Sequence, residues 1–259
     1  LHSFPTRRSS DLGGNSGKDY AGHYVVPTEV AYDELSYKVM GIDEAAFSYA
    51  TSLRSIEIGN ESISHIGDRL FHGCTALNAI VWDIDLPINE TIFDEESYHN
   101  LLIYTAEDVE LNHPLINEGR MIQVSNNESG KLTLDGSYPF YCPRAFTAES
   151  VSYRRSFAQT TGSGDAAGWE TIVLPFDVQT FSHVSKGEVA PFGVKAKHNF
   201  WLAELTEKGF SATTTLRANV PYIIAMPNNT EYGSNSLSGA ITFSATHATI
   251  QPTDELTQS

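Results

Sequence analysis

A 24-residue repeat near the N-terminus constrains the fold of this chain more than any other feature of its sequence. Apolar residues recur in register between residues 39–58 and residues 63–82, with no gap in the alignment. The matched pairs are Val39/Ile63, Ile42/Ile66, Ala46/Leu70, Phe47/Phe71, Ala50/Cys74, Leu53/Leu77, Ile56/Ile80 and Ile58/Trp82. A fixed period of this length is typical of a solenoid, in which each coil buries its apolar face against the next coil.

Each copy of the repeat combines the spacing of two kinds of secondary structure. Ile42, Ala46 and Ala50 lie four residues apart, which predicts a short helical arm, and Asp43 is placed to cap it. Residues 56–58 alternate between apolar and charged side chains, which predicts a short strand. The predicted structural core of the repeat consists of Ile42, Phe47, Leu53, Ile56, Ile66, Phe71, Cys74, Leu77 and Ile80.

The later copy also carries a recognisable motif. Read from Ile66 to Ile80, the pattern I-G-x-x-x-F-x-x-C-x-x-L-x-x-I resembles the leucine-rich repeats of BspA-like surface proteins of the Bacteroides group. The earlier copy departs from the motif, since Asp43 replaces the glycine and Ala50 replaces the cysteine. A third copy is degenerate, because Glu90 and Glu95 fall where Ile66 and Phe71 should repeat.

Three stretches of the second half resemble the region that follows the repeats in the same BspA-like group. They are residues 138–148, 168–177 and 218–227. The resemblance implies a secreted protein, or one on the outer cell surface, that adheres to a host or bacterial surface protein. It implies no catalytic residue and no cofactor.

The chain divides into four segments by composition and pattern. Residues 1–12 resemble one reading frame of a common sequencing-adapter oligonucleotide, so we leave them out of the fold prediction. Residues 13–38 are expected to form a flexible entry or a degenerate repeat, and residues 39–106 the leucine-rich repeats. Two clear repeats are fewer than a stable solenoid usually needs, so we expect further repeats in a longer natural protein. Residues 107–259 form the last segment, whose truncation at the C-terminal end stays open.

The last segment has the pattern of a β domain. Short runs rich in β-branched and aromatic residues alternate with Gly, Asn, Asp and Pro, which favours a sandwich or an open barrel. The predicted strands are Met121–Val124, Lys131–Leu134, Ser150–Phe157, Glu170–Leu174, Phe200–Leu205, Tyr222–Met226 and Ala240–Ala245. The predicted fold class is therefore mainly β, a short leucine-rich-repeat solenoid followed by a β-sandwich-like domain.

Charge and hydropathy exclude some classes of partner. The chain carries 16 Lys and Arg against 32 Asp and Glu, a formal net charge of −16. Too few cations are present to replace the counterions of a nucleic acid, so no nucleic-acid partner is expected. No apolar run approaches the length of a membrane span, so none is predicted in this sequence.

An acidic stretch is the one candidate for a metal site. It contains Asp83, Asp85, Glu90, Asp94, Glu95 and Glu96. Asp83 and Asp85 have the alternation of a calcium loop, but Leu86 and Pro87 interrupt it, so a solvated acidic loop is favoured. His65 and His72 are seven residues apart and do not have metal-ligand spacing. We expect no metal and no cofactor.

The two cysteines have a structural interpretation. Cys74 stands at an inward repeat position and is expected to be a buried packing thiol. A disulfide between Cys74 and Cys142 is the alternative.

Two tryptophans are the candidate ligand-binding residues. Trp169 and Trp201 lie in predicted β runs, where they pack in a core or form a platform for sugar rings. The leading hypothesis is a non-catalytic, exported surface interaction protein whose β domain caps the solenoid. The alternative is a carbohydrate-binding module with an aromatic site, and an enzyme is not expected because no catalytic motif is present.

Overall fold

The structure is a computed structural model, which describes residues 20–94, 98–106, 109–157, 161–162 and 168–253. The adapter-like segment 1–12, residues 13–19, and Glu95 and Glu96 of the acidic stretch lie outside the described residues. The chain forms two compact units. Unit 1 runs as far as Ser129 and also contains Tyr138–Cys142, whereas unit 2 contains Gly130–Ser137 and the residues from Pro143 onward.

Unit 1 consists almost entirely of short strands. They are β1 (Ala21–Val25), β2 (Glu29–Tyr32), β3 (Leu35–Lys38), β4 (Gly41–Ile42), β5 (Ser52–Ile58), β6 (His65–Ile66), β7 (Ala79–Trp82), β8 (Leu101–Thr105) and β9 (Met121–Ser125). A 3-10 helix spans Glu90–Ile92, and the short helix α1 spans Pro114–Asn117. No helix in the described part of the chain is long and apolar enough to cross a membrane.

Five parallel strands form the solenoid-like sheet of unit 1, in the order β1, β5, β7, β8, β9. Ile56 pairs with Ile80, and in a second small sheet Ile42 pairs with Ile66, so both registers reproduce the 24-residue period. Ile80 pairs in turn with Ile103, a step of 23 residues. The predictions of a mainly β fold and of a solenoid-like arrangement are confirmed.

The arm between the strands of one coil is a run of turns, so the predicted helix is wrong. Ala45 and Tyr49 have left-handed backbone at φ 58° and 61°, and Arg69 and Gly73 repeat it 24 residues later at 58° and 71°. Left-handed residues interrupt a right-handed helix. The amide of Ala45 instead donates to a carbonyl of the next coil, at Asp68, over 2.9 Å. Stacking between coils therefore replaces hydrogen bonding within a helix.

A stack of phenylalanines runs through the core of unit 1. The rings of Phe47 and Phe71 lie 5.9 Å apart, and those of Phe71 and Phe93 lie 5.8 Å apart, both pairs stacked. Phe93 follows Phe71 by 22 residues rather than 24. The coil is shorter by two residues at this point, which is why a fixed period missed its phenylalanine.

Most of the predicted repeat core lies in this buried cluster. Its fully buried members are Ile42, Phe47, Leu53, Ile56, Phe71, Cys74, Leu77 and Ile80. Ile66 is half-buried and packs against the cluster. The same cluster continues through Leu111 and Leu115 to Met121, beyond the segment expected to hold the repeats.

The boundary between the units falls later than the expected position at residue 107. Strand β9 was predicted as the first strand of the β domain, but it pairs in parallel with β8, with Ile103 opposite Gln123. An edge strand offers unpaired backbone groups to the next segment, so a strand can join the sheet without carrying the repeat motif.

Unit 2 is an antiparallel arrangement with one parallel pair. Its strands are β10 (Glu128–Asp135, which begins in unit 1), β11 (Phe146–Ser156), β12 (Glu170–Ile172), β13 (Thr180–His183), β14 (Gly187–Pro191), β15 (Asn199–Thr206), β16 (Gly209–Ala212), β17 (Tyr222–Ala225) and β18 (Ala240–Ile250). A 3-10 helix spans Thr230–Asn235. Each of the seven predicted strands overlaps an observed strand, whereas β13, β14 and β16 were not predicted.

The core of unit 2 is rich in aromatic side chains. The rings of Phe181 and Phe200 lie 5.3 Å apart, and those of Phe181 and Phe243 lie 5.7 Å apart. Phe176 and Tyr222 are also buried. These side chains come from one face of each strand, which leaves the opposite faces available for other roles.

Candidate functional site: an aromatic sheet face of unit 2

Four neighbouring strands of unit 2 place a set of apolar side chains on one face of a sheet. They lie in the order β12, β17, β15, β16, and all three pairings are antiparallel. Residues directly opposite each other in an antiparallel pair point to the same face, and every second residue along a strand shares it. The register thus assigns each side chain to a face.

One row on this face is given directly by the register. Thr171 lies opposite Ile223, Ile223 opposite Ala203, and Ala203 opposite Ala212. Every second residue from this row extends the face in both directions. We call the full set the aromatic face, consisting of Trp169, Thr171, Val173, Trp201, Ala203, Leu205, Phe210, Ala212, Ile223 and Ala225.

The aromatic face is open to solvent over much of its area. Trp169, Val173, Leu205 and Phe210 are exposed, with Phe210 retaining 60% of its accessible surface. Isolated exposed apolar residues are ordinary, but several on one sheet face indicate a contact surface.

No charged residue belongs to the aromatic face. The glutamates of these strands, Glu170 and Glu204, alternate onto the opposite face. Each is paired there with an arginine: Arg155 lies 2.6 Å from Glu170, and Arg217 lies 2.7 Å from Glu204. The face therefore offers stacking and apolar contact rather than acid–base chemistry.

The two predicted binding residues are brought together on this face. Trp201 lies opposite Ala225 in the β15–β17 pair. Glu170 lies opposite Ile224 in the β12–β17 pair, so Trp169 continues that register to the level of Ala225. Trp169 and Trp201 thus flank Ala225 from the two neighbouring strands.

Trp201 is held by two further aromatic rings that were not predicted. Phe192 lies 5.1 Å from it and Tyr232 lies 6.0 Å from it, both measured between ring centroids. Trp201 is half-buried between them. Phe192 follows β14 and Tyr232 lies in the 3-10 helix, so no local pattern in the sequence links them to Trp201.

The strands of unit 1 do not offer an equivalent open face. The segment Tyr138–Cys142, which we call the strap, belongs to unit 1 and lies against the outer side of its sheet. The amide of Asn100 donates to the carbonyls of Tyr138 and Pro139 over 3.1 and 3.3 Å, and the ring of His99 stacks on Tyr138 at 3.7 Å. Outer strand residues such as Leu102 are consequently buried.

Both cysteines are buried free thiols, and the alternative disulfide is not formed. The thiol of Cys74 contacts the carbonyl of Phe47 at 3.0 Å. Burial raises the pKa of Cys74 to about 12, with Asp94 adding a smaller increase against a backbone hydrogen bond. The thiol therefore stays protonated and serves packing, as expected for this repeat position.

The acidic stretch has two kinds of carboxylate among its described members. Asp83, Asp85 and Glu90 are exposed. Asp94 accepts a hydrogen bond from the backbone amide of Gly73 over 2.6 Å. Within the described residues, no group of three or more His, Cys, Asp or Glu side chains is arranged to hold a metal ion.

The remaining residues singled out from the sequence have separate places in unit 1. Trp82 is buried, and its indole donates to the carbonyl of Leu86 over 2.8 Å. His65 is exposed and His72 is half-buried.

Comparison with known proteins assigns this chain to no family. No protein-family description matches it, and neither the curated proteins nor the solved structures yield a significant match.

Proposed function

We propose that the chain is a non-catalytic surface interaction protein whose aromatic face binds a partner. The observation that carries the proposal is the concentration of exposed apolar side chains on one uncharged sheet face in a chain of net charge −16. Acidic side chains keep most of such a surface hydrated, so a face without them marks the place where water is displaced by a partner.

The proposal includes the BspA-like resemblance of the repeats and of the region after them. On that basis the protein is secreted or displayed on the outer cell surface, and its partner is a host or bacterial surface protein or a glycan. The observed 24-residue register supports the repeat part of this identification, because leucine-rich repeats also stack their strands in parallel.

We propose a β-sandwich-like domain for unit 2. The support is the contact of Phe200 on β15 with Phe181 on β13, since a sandwich core forms where two sheets pack through their inner faces. In such a domain the aromatic face is the outer surface of one sheet.

The capping of the solenoid by unit 2 stays a prediction. Deletion of residues 143–259 keeps the strap and removes most of unit 2. We expect the remainder to aggregate or unfold, and a soluble, cooperatively folding remainder would contradict the capping role.

Adhesion to cells tests the proposed function. Labelled protein is applied to bacterial and host epithelial cells, and the retained fraction is compared between the unaltered chain and the variant Leu205→Ser/Phe210→Ser. Both positions are more than half exposed, so the fold is retained. Val184→Ser is the matched control, because Val184 is equally exposed in unit 2 but lies outside the aromatic face.

We expect the double variant to lose most of the retention and the control to keep it. Equal retention of both variants would show that adhesion, if present, uses another surface, and would overturn the proposal.

A carbohydrate-binding module is the second candidate. The specific observation that favours it is the position of Trp169 and Trp201 on either side of Ala225.

A further inference from the structure

The two tryptophans of the aromatic face have a defined separation across the sheet. They lie on β12 and β15, which are the two neighbours of β17. Neighbouring strands are spaced by about 4.8 Å, so the Cα atoms of Trp169 and Trp201 are roughly 10 Å apart. That separation is suited to an extended ligand that contacts both indoles at once, rather than to a single small ring.

Small side chains occupy the space between and beside the indoles. Ala225 lies between them, and Ala203 and Thr171 lie in the next row. Two large aromatic side chains that flank an alanine rise above it and leave a shallow trough. A chain of linked rings fits a trough of this kind and turns its apolar C–H faces to the indoles.

Trp201 is oriented before any ligand arrives. Its ring is fixed between Phe192 and Tyr232, at 5.1 and 6.0 Å. A side chain that is already ordered loses less entropy on binding, so the contact contributes more to affinity. Trp169 is 37% exposed and supplies the more open end of the trough.

Charge selects among the possible extended ligands. The aromatic face holds no cation to pair with an anionic sugar, and the whole chain has a net charge of −16. An acidic polysaccharide is therefore repelled at long range and unpaired at contact. A protein partner normally uses arginine and a rim of directed hydrogen bonds at its contact surface, and the face carries no arginine.

We infer that the aromatic face binds a neutral polysaccharide, laid across β12, β17 and β15 with sugar rings stacked on Trp169 and Trp201. The inference rests on the proposed function, because it names the partner class of the same face. The hydroxyl of Thr171 lies beside the trough and is placed to hydrogen-bond the sugar chain.

Affinity electrophoresis of the full chain tests the inference. Native gels are cast with hydroxyethylcellulose, xyloglucan, galactomannan, glycogen or β-1,3-glucan as neutral probes, and with polygalacturonate as the acidic probe. We expect at least one neutral probe to retard the protein and polygalacturonate to have no effect. Retardation by no neutral probe, or stronger retardation by polygalacturonate, would overturn the inference.

Single substitutions separate stacking from general stickiness. Trp169→Ala and Trp201→Ala are each expected to weaken retardation roughly tenfold, the loss that one removed stacking contact of about 1.4 kcal/mol produces. Trp201→Phe keeps a ring and should retain more affinity than Trp201→Ala, and Val184→Ser should match the unaltered chain. Unchanged retardation of both alanine variants would contradict the stacking geometry, and circular dichroism checks that each variant is folded.

Pretreatment of cells distinguishes this inference from the proposed function. Periodate destroys sugar rings that carry vicinal hydroxyls, and protease removes surface proteins. Loss of adhesion after periodate alone supports the inference. If adhesion depends on the aromatic face but disappears after protease alone, the interaction function stands and the polysaccharide partner is wrong.

Discussion

The two units use β-strands in opposite ways. All four residues of β7 in unit 1 are buried, so neither face of that strand reaches solvent. In unit 2, β15 alternates at its start between buried Phe200 and half-buried Trp201, and its later residue Leu205 is exposed. A sheet covered on both faces contributes stability, whereas a sheet with one open face has a surface to offer a partner.

The cover on each face of the unit 1 sheet has a different source. The turns of each coil place Phe47, Phe71 and Phe93 on the inner face, and the strap covers the outer face. The repeat that dominates the sequence therefore produces a folded support, and the binding surface lies in the unit without a repeat. The following substitutions test that division, from the largest expected effect to the smallest.

Removing a stacked phenylalanine should have the largest effect on stability. Phe71 is fully buried between two rings, so Phe71→Ala should lower the free energy of unfolding by about 3–5 kcal/mol. Phe210→Ala, on the aromatic face, should change it by less than about 0.5 kcal/mol. Urea denaturation of both variants measures the difference, and similar losses would contradict the assignment of stability to unit 1.

A glycine in the repeat should tolerate no side chain. A Cβ on Gly67 would lie 2.2 Å from the backbone nitrogen of Glu44 in the preceding coil. Gly67→Ala should therefore cost about 1–3 kcal/mol, because the coils must separate. Gly130→Ala in unit 2 is the control, since nothing lies within 4 Å of its Cβ position, and it should be neutral or slightly stabilising. A neutral Gly67→Ala would mean that the coils are less tightly stacked than described.

The strap should contribute a smaller amount. Asn100 is buried with φ 58°, and Asn100→Ala removes both amide hydrogen bonds to the strap, at an expected cost of about 1–2 kcal/mol. Asn219 in unit 2 has nearly the same φ, 57°, but is exposed. Asn219→Ala thus controls for the backbone conformation and should cost less. Thermal unfolding of the pair decides whether the strap holds the outer face closed.

Acid should weaken unit 2 through a buried histidine. Burial lowers the pKa of His198 from its usual value, and Lys197, Lys186 and His183 lower it further. The unfolded chain takes up this proton near pH 6.5, while the folded chain resists it, so stability falls as the pH drops below about 6.5. Once the pH passes below the pKa of the folded state, this contribution stops changing.

The histidine variant His198→Gln isolates that contribution. Urea midpoints at pH 7.5 and pH 5.5 should differ less in the variant than in the unaltered chain. An equal difference in the two proteins would place the acid sensitivity elsewhere.

Local pattern predicted the parts of the fold that local pattern creates. The register of Ile56 with Ile80 follows from the repeat, because each coil buries the same positions against its neighbour. The helical arm was wrong because Ala45 and Tyr49, which carry side chains, adopt the left-handed backbone that a sequence pattern assigns to glycine. Phe93 was missed because its coil is two residues shorter.

The candidate site depended on contacts between distant segments. Trp169 and Trp201 were singled out by residue type, but their place beside Ala225 follows from the β12–β17–β15 pairing, which joins segments far apart in sequence. Phe210 lies on β16, which was not predicted, and Phe192 reaches Trp201 only in the folded unit. Alternation gave each strand two faces, and only the pairing shows which faces combine.

One pair of variants tests most directly whether the open face of unit 2 is the binding surface. Thr171 is exposed at the centre of the aromatic face, and Thr171→Glu adds a charge there while Thr171→Gln adds similar bulk without charge. Retention on cells and the urea midpoint are measured for both variants. We predict that Thr171→Glu loses most of the retention, that Thr171→Gln keeps most of it, and that both keep the midpoint of the unaltered chain. Retention of Thr171→Glu equal to that of Thr171→Gln would contradict binding through this face.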